Sequence, residues 1–175
     1  EVCFRIGNNG WTFDRDGANA LYAELAKLRI ELEKDLQELF EPWEVHQVFI
    51  PKVNNKARGY VKGEPFTKVS VVEFNPNSRK HIHRCLVDKY GWKPKQFTPS
   101  GEAKVDEQVL SQLPYPEAQK LAKFFLVQKR IAQLAEGSQA WMKKVDSDGK
   151  IRHTIISGGT VSGRFSSSHP NLQQV

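Results

Sequence analysis

The residues whose reading decides this chain are Thr160-Val161-Ser162-Gly163-Arg164-Phe165-Ser166-Ser167-Ser168-His169-Pro170-Asn171-Leu172-Gln173-Gln174. The stretch is polar, with one arginine set directly behind a glycine. A phosphate-binding P-loop is the first chemistry to test, because Gly158 and Gly163 stand at the required separation. That loop needs Lys and then Ser or Thr after its second glycine, to reach the terminal phosphates and the magnesium. Arg164 and Phe165 occupy those places, which excludes it. Upstream, Ile151–Ile156 alternates as a strand does, and Asp146-Ser147-Asp148-Gly149 is a tight turn. This end of the chain therefore reads as the start of a sheet.

The remainder is mostly helical in pattern. Asn8-Asn9-Gly10 is a turn signal between the apolar stretch Val2–Ile6 and Trp11-Thr12-Phe13. Asp14 is the N-cap expected for a long amphipathic helix over about 15–41, closed by Pro42. Its stripe of Leu21, Leu25, Leu28, Leu32, Leu36 and Leu39 keeps the three-and-four spacing that holds one helix face against a partner. Residues 43–74 are expected to be irregular or short-stranded, with Pro51, Gly59, Gly63 and Pro65 forbidding long helices. Asn75-Pro76-Asn77-Ser78 predicts a cap for a short helix bearing Ile82, Cys85 and Leu86. A second short helix is expected from near Lys104 to near Leu113. Pro116 opens another long helix, expected to reach about Trp141, with Leu121, Phe124, Phe125, Val127, Ile131 and Leu134 on its apolar side. Both helices far exceed the usual length of about 11–12 residues. The expected architecture is mainly α (α+β): a long antiparallel helical stalk, short helices and a basic loop at its tip over 42–114, then the first strands of a sheet.

Charge sharpens this picture. The 175 residues carry a net charge of +6, and residues 52–95 alone hold eleven basic side chains against Glu64, Glu73 and Asp88. The excess is thus a local block of +8, the layout of a phosphate-facing surface, with a merely solvated basic loop as the alternative. Charged residues make up 26% of the chain and no apolar run approaches the length of a membrane span. Cys3 and Cys85 make no disulfide framework, and the N-terminus lacks a signal-peptide layout, so a cytoplasmic setting is expected. His81-x-His83-x-Cys85 suggests no zinc site, because steps of two on a helix point to different sides.

In its motifs the sequence resembles the family A DNA polymerases, the group of bacterial DNA polymerase I and the T-odd phage replicases. Thr160-x-x-Gly163-Arg164 and Pro170-Asn171-Leu172-Gln173 stand in register with the T-x-x-G-R and P-N-L-Q that open that family's palm domain. Phe74-Asn75-Pro76-Asn77-Ser78-Arg79 is similar to the F-N-P-x-S-R that leads into the thumb-tip helices. Gly91-Trp92, Phe97-Thr98-Pro99-Ser100-Gly101 and Glu107-x-Val109-Leu110 resemble the tip loop and its second small helix. Gln128-Lys129-Arg130-Ile131 and Ala135-Glu136-Gly137 resemble the second stalk helix of the phage branch. The likeness runs in order over residues 11–175. It implies a lead-in over 1–13, a thumb over 14–145 and the beginning of a palm over 146–175.

The resemblance also implies an interface with primer-template DNA. A polymerase grips any duplex, so its contacts go to phosphates and to the minor-groove acceptors that all correct pairs share, for which a donor-only arginine is suited. Arg164 is then expected at the primer-terminal pair, with Thr160 in the same motif and Gly163 permitting close approach of the backbone. Asn171, Gln173 and Gln174 are expected to add contacts nearby. At the tip, Asn75 and Ser78 match positions that touch the primer backbone, although both are also cap residues, and a helix N-terminus is itself a phosphate site. Lys80, Lys93, Lys95 and Lys129 are expected phosphate partners. Ser162 stands where threonine is usual, and Gln133 where bacterial relatives have lysine.

The family's two-metal chemistry uses Mg2+ held by palm aspartates that lie, in family order, after P-N-L-Q. The 175 residues are therefore expected to contain no catalytic or metal-ligating residue, to work with the rest of a polymerase chain (palm, fingers and exonuclease module), and to polymerise nothing alone. Residues 44–67 are far shorter than the thumb insertion by which the best-known phage enzymes capture a host processivity factor, so a DNA-contacting basic loop without thioredoxin binding is expected. Two other classes fit the same residues: a non-catalytic DNA-binding or processivity accessory derived from a polymerase, and a helical-hairpin protein-interaction module.

Overall fold

The structure is a computed structural model that describes residues 1–173. Its first helix, α1 (Val2–Asn9), ends where Gly10, at a φ of 68°, returns its N–H to the Ile6 carbonyl. The short strand β1 (Trp11–Thr12) follows, then α2 (Arg15–Leu39). Asp14 does act at the start of α2, its Oδ1 accepting from Gly17 N–H at 2.9 Å. Strands β2 (Trp43–Phe49) and β3 (Phe66–Val72) pair antiparallel from Trp43↔Val72 to Phe49↔Phe66. The prolines and glycines of this region fall in the connection between them, which also holds a short 3-10 turn at Lys56–Arg58.

Next come α3 (Arg79–Tyr90), capped by Ser78, and α4 (Glu107–Ser111), which starts later than Lys104 because Asp106 is its cap, accepting from Val109 N–H at 2.9 Å. The helix opened by Pro116, α5 (Pro116–Ile131), gives way to a π turn over Ala132–Glu136 and does not reach Trp141. Gly137 is the cause. Its N–H bonds to the Ala132 carbonyl at 2.8 Å, and any Cβ there would lie 2.6 Å from that oxygen. A 3-10 turn at Trp141–Lys144 leads to β4 (Lys150–Ile151), β5 (Thr154–Ile156) and β6 (Ser166–Ser168). Strand β4 pairs with β1, and β5 with β6, both antiparallel.

The chain divides into two units, Glu1–Leu32 with Lys123–Val175, and Glu33–Ala122. In the first, Phe124, Val127, Ile131, Leu134 and Ile151 are among the buried side chains. The π turn delivers Glu136 to α2, where it accepts from Arg29 at 2.9 Å and from the Tyr22 hydroxyl at 3.3 Å. In the second unit, Leu36, Phe40, Phe74, Ile82, Leu86, Leu110, Ala118 and Leu121 are buried, with the Phe40 and Phe74 rings 4.3 Å apart. Lys120 of α5 reaches Asp35 of α2 at 3.0 Å. Burial along the α2 stripe is graded: Leu32 and Leu36 are buried, Leu25 and Leu28 half-buried, and Leu21 and Leu39 exposed.

A buried carboxylate ties α3 to α5 in the second unit. Glu117 accepts from Lys89 Nζ at 2.6 Å and from the Tyr90 hydroxyl, and the Tyr90 and Tyr115 rings stack at 4.0 Å. Burial alone would raise the Glu117 carboxyl, but the Lys89 and Tyr90 hydrogen bonds prevail and hold it below its ordinary 4.5. A carboxyl depressed on folding stabilises fully above its free value, and that contribution is lost as pH falls through the folded value. Denaturant unfolding should therefore show stability declining below about pH 4.5. Glu117→Gln should flatten that decline and cost about 1–2 kcal/mol at pH 7.

Candidate nucleic-acid interface

In the first unit, the Thr160–Arg164 stretch is a closed turn. Gly163 donates to the Thr160 carbonyl at 2.9 Å, and Arg164 N–H to Thr160 Oγ1 at 2.9 Å. The Thr160 hydroxyl also meets Ser162 Oγ at 3.1 Å, so this threonine is engaged in shaping the turn. Gly163 has a φ of 74°, a left-handed conformation that selects glycine, with open space where a Cβ would stand. Arg164 is exposed. The arrangement sets an exposed arginine on a short hydrogen-bonded turn.

Close by in sequence, the Pro170–Gln173 segment is pinned at every residue. The Ser167 hydroxyl donates to the Pro170 carbonyl at 3.4 Å and accepts from Leu172 N–H at 3.2 Å. The Trp141 indole N–H donates to the Asn171 carbonyl at 3.2 Å, and Asn171 Oδ1 accepts from Gln173 N–H at 2.9 Å. With its amide oxygen so used, Asn171 has its Nδ2 donors left to offer, which match an acceptor-rich minor groove. Gln173 is exposed, and Gln174 lies outside the described residues. Lys129 is exposed on α5 in this unit.

The remaining sequence-predicted residues lie in the second unit. Asn75 Oδ1 accepts from Asn77 N–H at 2.8 Å, and Ser78 Oγ accepts from His81 N–H at 3.3 Å, so both shape the entrance to α3. Lys80 pairs with Glu102 at 3.0 Å, which offsets part of its charge. Lys93 and Lys95 are exposed and, with Trp92, Gln96 and Tyr115, line one groove of about 430 Å³. The histidines of α3 have structural partners: His81 Nδ1 accepts from Asn75 N–H at 3.2 Å, and His83 packs edge-on to Trp92. Burial pushes the Cys85 thiol up to about 11, with Asp88 adding to the rise. Asp146 and Asp148 are both held by the Arg152 guanidinium, at 2.7 and 2.6 Å, which draws the Asp148 carboxyl down to about 2. Among the described residues, no three His, Cys, Asp or Glu side chains are grouped to hold a metal, and no helix is long and apolar enough to cross a membrane.

Comparison with known proteins decides the family. The family model of DNA polymerase family A matches residues 52–175. The chain is 35% identical to the DNA-directed DNA polymerase of Enterobacteria phage T3 and 34% identical to that of Escherichia phage T7, each over 95% of this chain. The chain belongs to DNA polymerase family A.

It spans 30% of the length of these two curated relatives, and matches DNA polymerase I of Helicobacter pylori at 32% identity over 59% of this chain and 11% of that protein. Both phage alignments run over 212 positions, whereas 95% of 175 residues is about 166, so these relatives carry about 46 positions that this family A chain lacks. In fold it is similar to the POL domain of Pol1 from M. smegmatis in complex with DNA primer-template and dNTP, with a TM-score of 0.58 at 19% identity, over 95% of this chain and 24% of that one. The mixed helix-and-strand class is thereby established.

Trp141 and Ser167 hydrogen-bond the P-N-L-Q segment of this family A chain and His153 hydrogen-bonds Ser167, contacts that no sequence motif announces. A signal for His153 was present, because it shares the inward-alternating positions of Ile151 and Ile155. The dual reading of Ser78 is measurable. Ser78→Ala should lower stability in urea unfolding by about 1 kcal/mol, the cost of a lost N-cap, and Ser78→Asp should restore it.

Proposed function

We propose that this chain is the duplex-gripping portion of a DNA-directed DNA polymerase. The observation that carries the reading is the pairing of a turn that holds an exposed Arg164 with a pinned segment bearing Asn171 and Gln173, in a chain of DNA polymerase family A. In this reading residues 1–13 lead in, 14–145 form the thumb and 146–175 begin the palm. The long helices α2 and α5 form an antiparallel stalk, an arrangement the Lys120–Asp35 and Arg29–Glu136 pairs favour.

Arg164 reads minor-groove acceptors at the primer terminus, and Asn171, Gln173 and Gln174 extend that contact, with Thr160 and Gly163 setting the turn. Asn75, Ser78, Lys80, Lys93, Lys95 and Lys129 hold phosphates, the first two through the α3 N-terminus they shape. The basic residues between β2 and β3 contact DNA directly and take no thioredoxin. The parent enzyme's Mg2+ ions supply two-metal phosphoryl transfer and belong to the part of the polymerase beyond this matched 30%. The rest of that polymerase is the chain's partner, and the cytoplasm its setting.

One titration tests this. Binding of the chain to a primer-template duplex should weaken steeply with salt, about 500-fold between roughly 50 and 200 mM for about five phosphate contacts. Arg164→Ala should cost about tenfold at a recessed primer end and little on blunt duplex. Added thioredoxin should leave the affinity unchanged, and added dNTPs should yield no primer extension. A salt-independent affinity, or equal effects of Arg164→Ala on both duplexes, would contradict the proposal.

A further inference from the structure

We propose that His153 is a positioning residue for duplex binding: through Ser167 it fixes the backbone of Pro170–Gln173, and with it the side chains of Asn171 and Gln173. This rests on the duplex-gripping reading above. The argument begins with position. Strand β5 pairs with β6 so that Ile155 faces Ser167, and His153 lies one residue before β5. Its Nδ1 is 2.6 Å from Ser167 Oγ, and Ser167 is 8% exposed, so this contact is shielded from water. The same hydroxyl is the only group that meets both Pro170 and Leu172 among the hydrogen bonds of the segment's described residues.

Donor and acceptor accounting then assigns the proton. A hydroxyl has one donor and two acceptor sites. Ser167 accepts from Leu172 N–H at 3.2 Å and lies 3.4 Å from the Pro170 carbonyl, so the arrangement that satisfies all three contacts has its proton on Pro170 and His153 supplying Nδ1–H. That tautomer leaves Nε2 a bare acceptor, and Nε2 is buried without a hydrogen-bond partner. The opposite tautomer would bury an unpaired N–H and take the serine proton away from Pro170, the costlier arrangement. Burial lowers the His153 pKa, which keeps the ring in the neutral form that this network needs.

The histidine is itself held from behind. A Cβ at Gly7 would lie 2.5 Å from the His153 carbonyl oxygen, so α1 approaches this backbone as only a glycine allows. A chain of contacts therefore runs from α1 through His153 and Ser167 to Leu172, while Trp141 holds Asn171 from another direction.

The test uses the full 175-residue chain, with His153→Phe removing Nδ1 while keeping a ring, and His153→Asn restoring an N–H at the δ position. In the unmodified chain, 15N NMR of the ring should show the Nδ1–H tautomer. His153→Phe should raise hydrogen exchange at the Leu172 amide about tenfold, and should reduce the preference for a recessed primer end over blunt duplex by about tenfold, as expected for one lost buried hydrogen bond. His153→Asn should recover both. An Nε2–H tautomer, or equal behaviour of the two variants, overturns the proposal. If the unmodified chain shows no preference for primer ends, the duplex-gripping reading fails. Leu172 exchange and the tautomer then decide the positioning role by themselves, retention of Leu172 protection in His153→Phe overturning it.

Discussion

Burial of one face of α5 is the constraint on which both units depend. Ala118 and Leu121 are fully buried in one unit, and Phe124 and Ile131 in the other, at the three- and seven-residue intervals that a single helical face imposes. Fully burying a leucine or phenylalanine contributes about 1.5–3 kcal/mol, so these few positions outweigh any of the surface ion pairs around them. The ion pairs act on geometry. Lys120 with Asp35, and Arg29 with Glu136, join α5 and the π turn after it to successive parts of α2. Glu136 can do so because Gly137 stops the helix and turns the chain.

The features that the sequence made legible share a local cause. Asp14 at α2, Ser78 at α3 and Pro116 at α5 mark helix starts through chemistry confined to one turn, and the structure has helices beginning at each. The apolar pattern of α5 runs on through Gly137 towards Trp141, but the helix ends before it because the glycine outranks the pattern. Residues 43–74, expected to be irregular or short-stranded without a long helix, form the β2–β3 hairpin: Pro51, Gly59, Gly63 and Pro65 all belong to the connection, and Thr67, Val69, Val71 and Val72 are the β-branched residues of a regular strand.

The candidate interface was legible as a set of residue types but not as a mechanism. Arg164 and Gln173 stand exposed on short, hydrogen-bonded turns, consistent with groups that meet a ligand. Asn75, Ser78 and Thr160 are engaged with their own backbone, so any contribution to a phosphate comes through the N–H groups they orient. The side chains that hold the site in shape, Trp141, His153 and Ser167, act across gaps of 5 to 30 residues in sequence. No local motif marks such contacts, because they exist only once the strands have paired.

On the proposed reading, the Asn75–Lys80 segment of one unit and the Thr160–Gln173 segment of the other each meet primer-template DNA. Hydrogen-exchange mass spectrometry of the chain with and without a primer-template duplex tests it most directly. Both segments should gain protection, and lose it on raising salt. Protection confined to the β2–β3 hairpin, or absent from Thr160–Gln173, would contradict it.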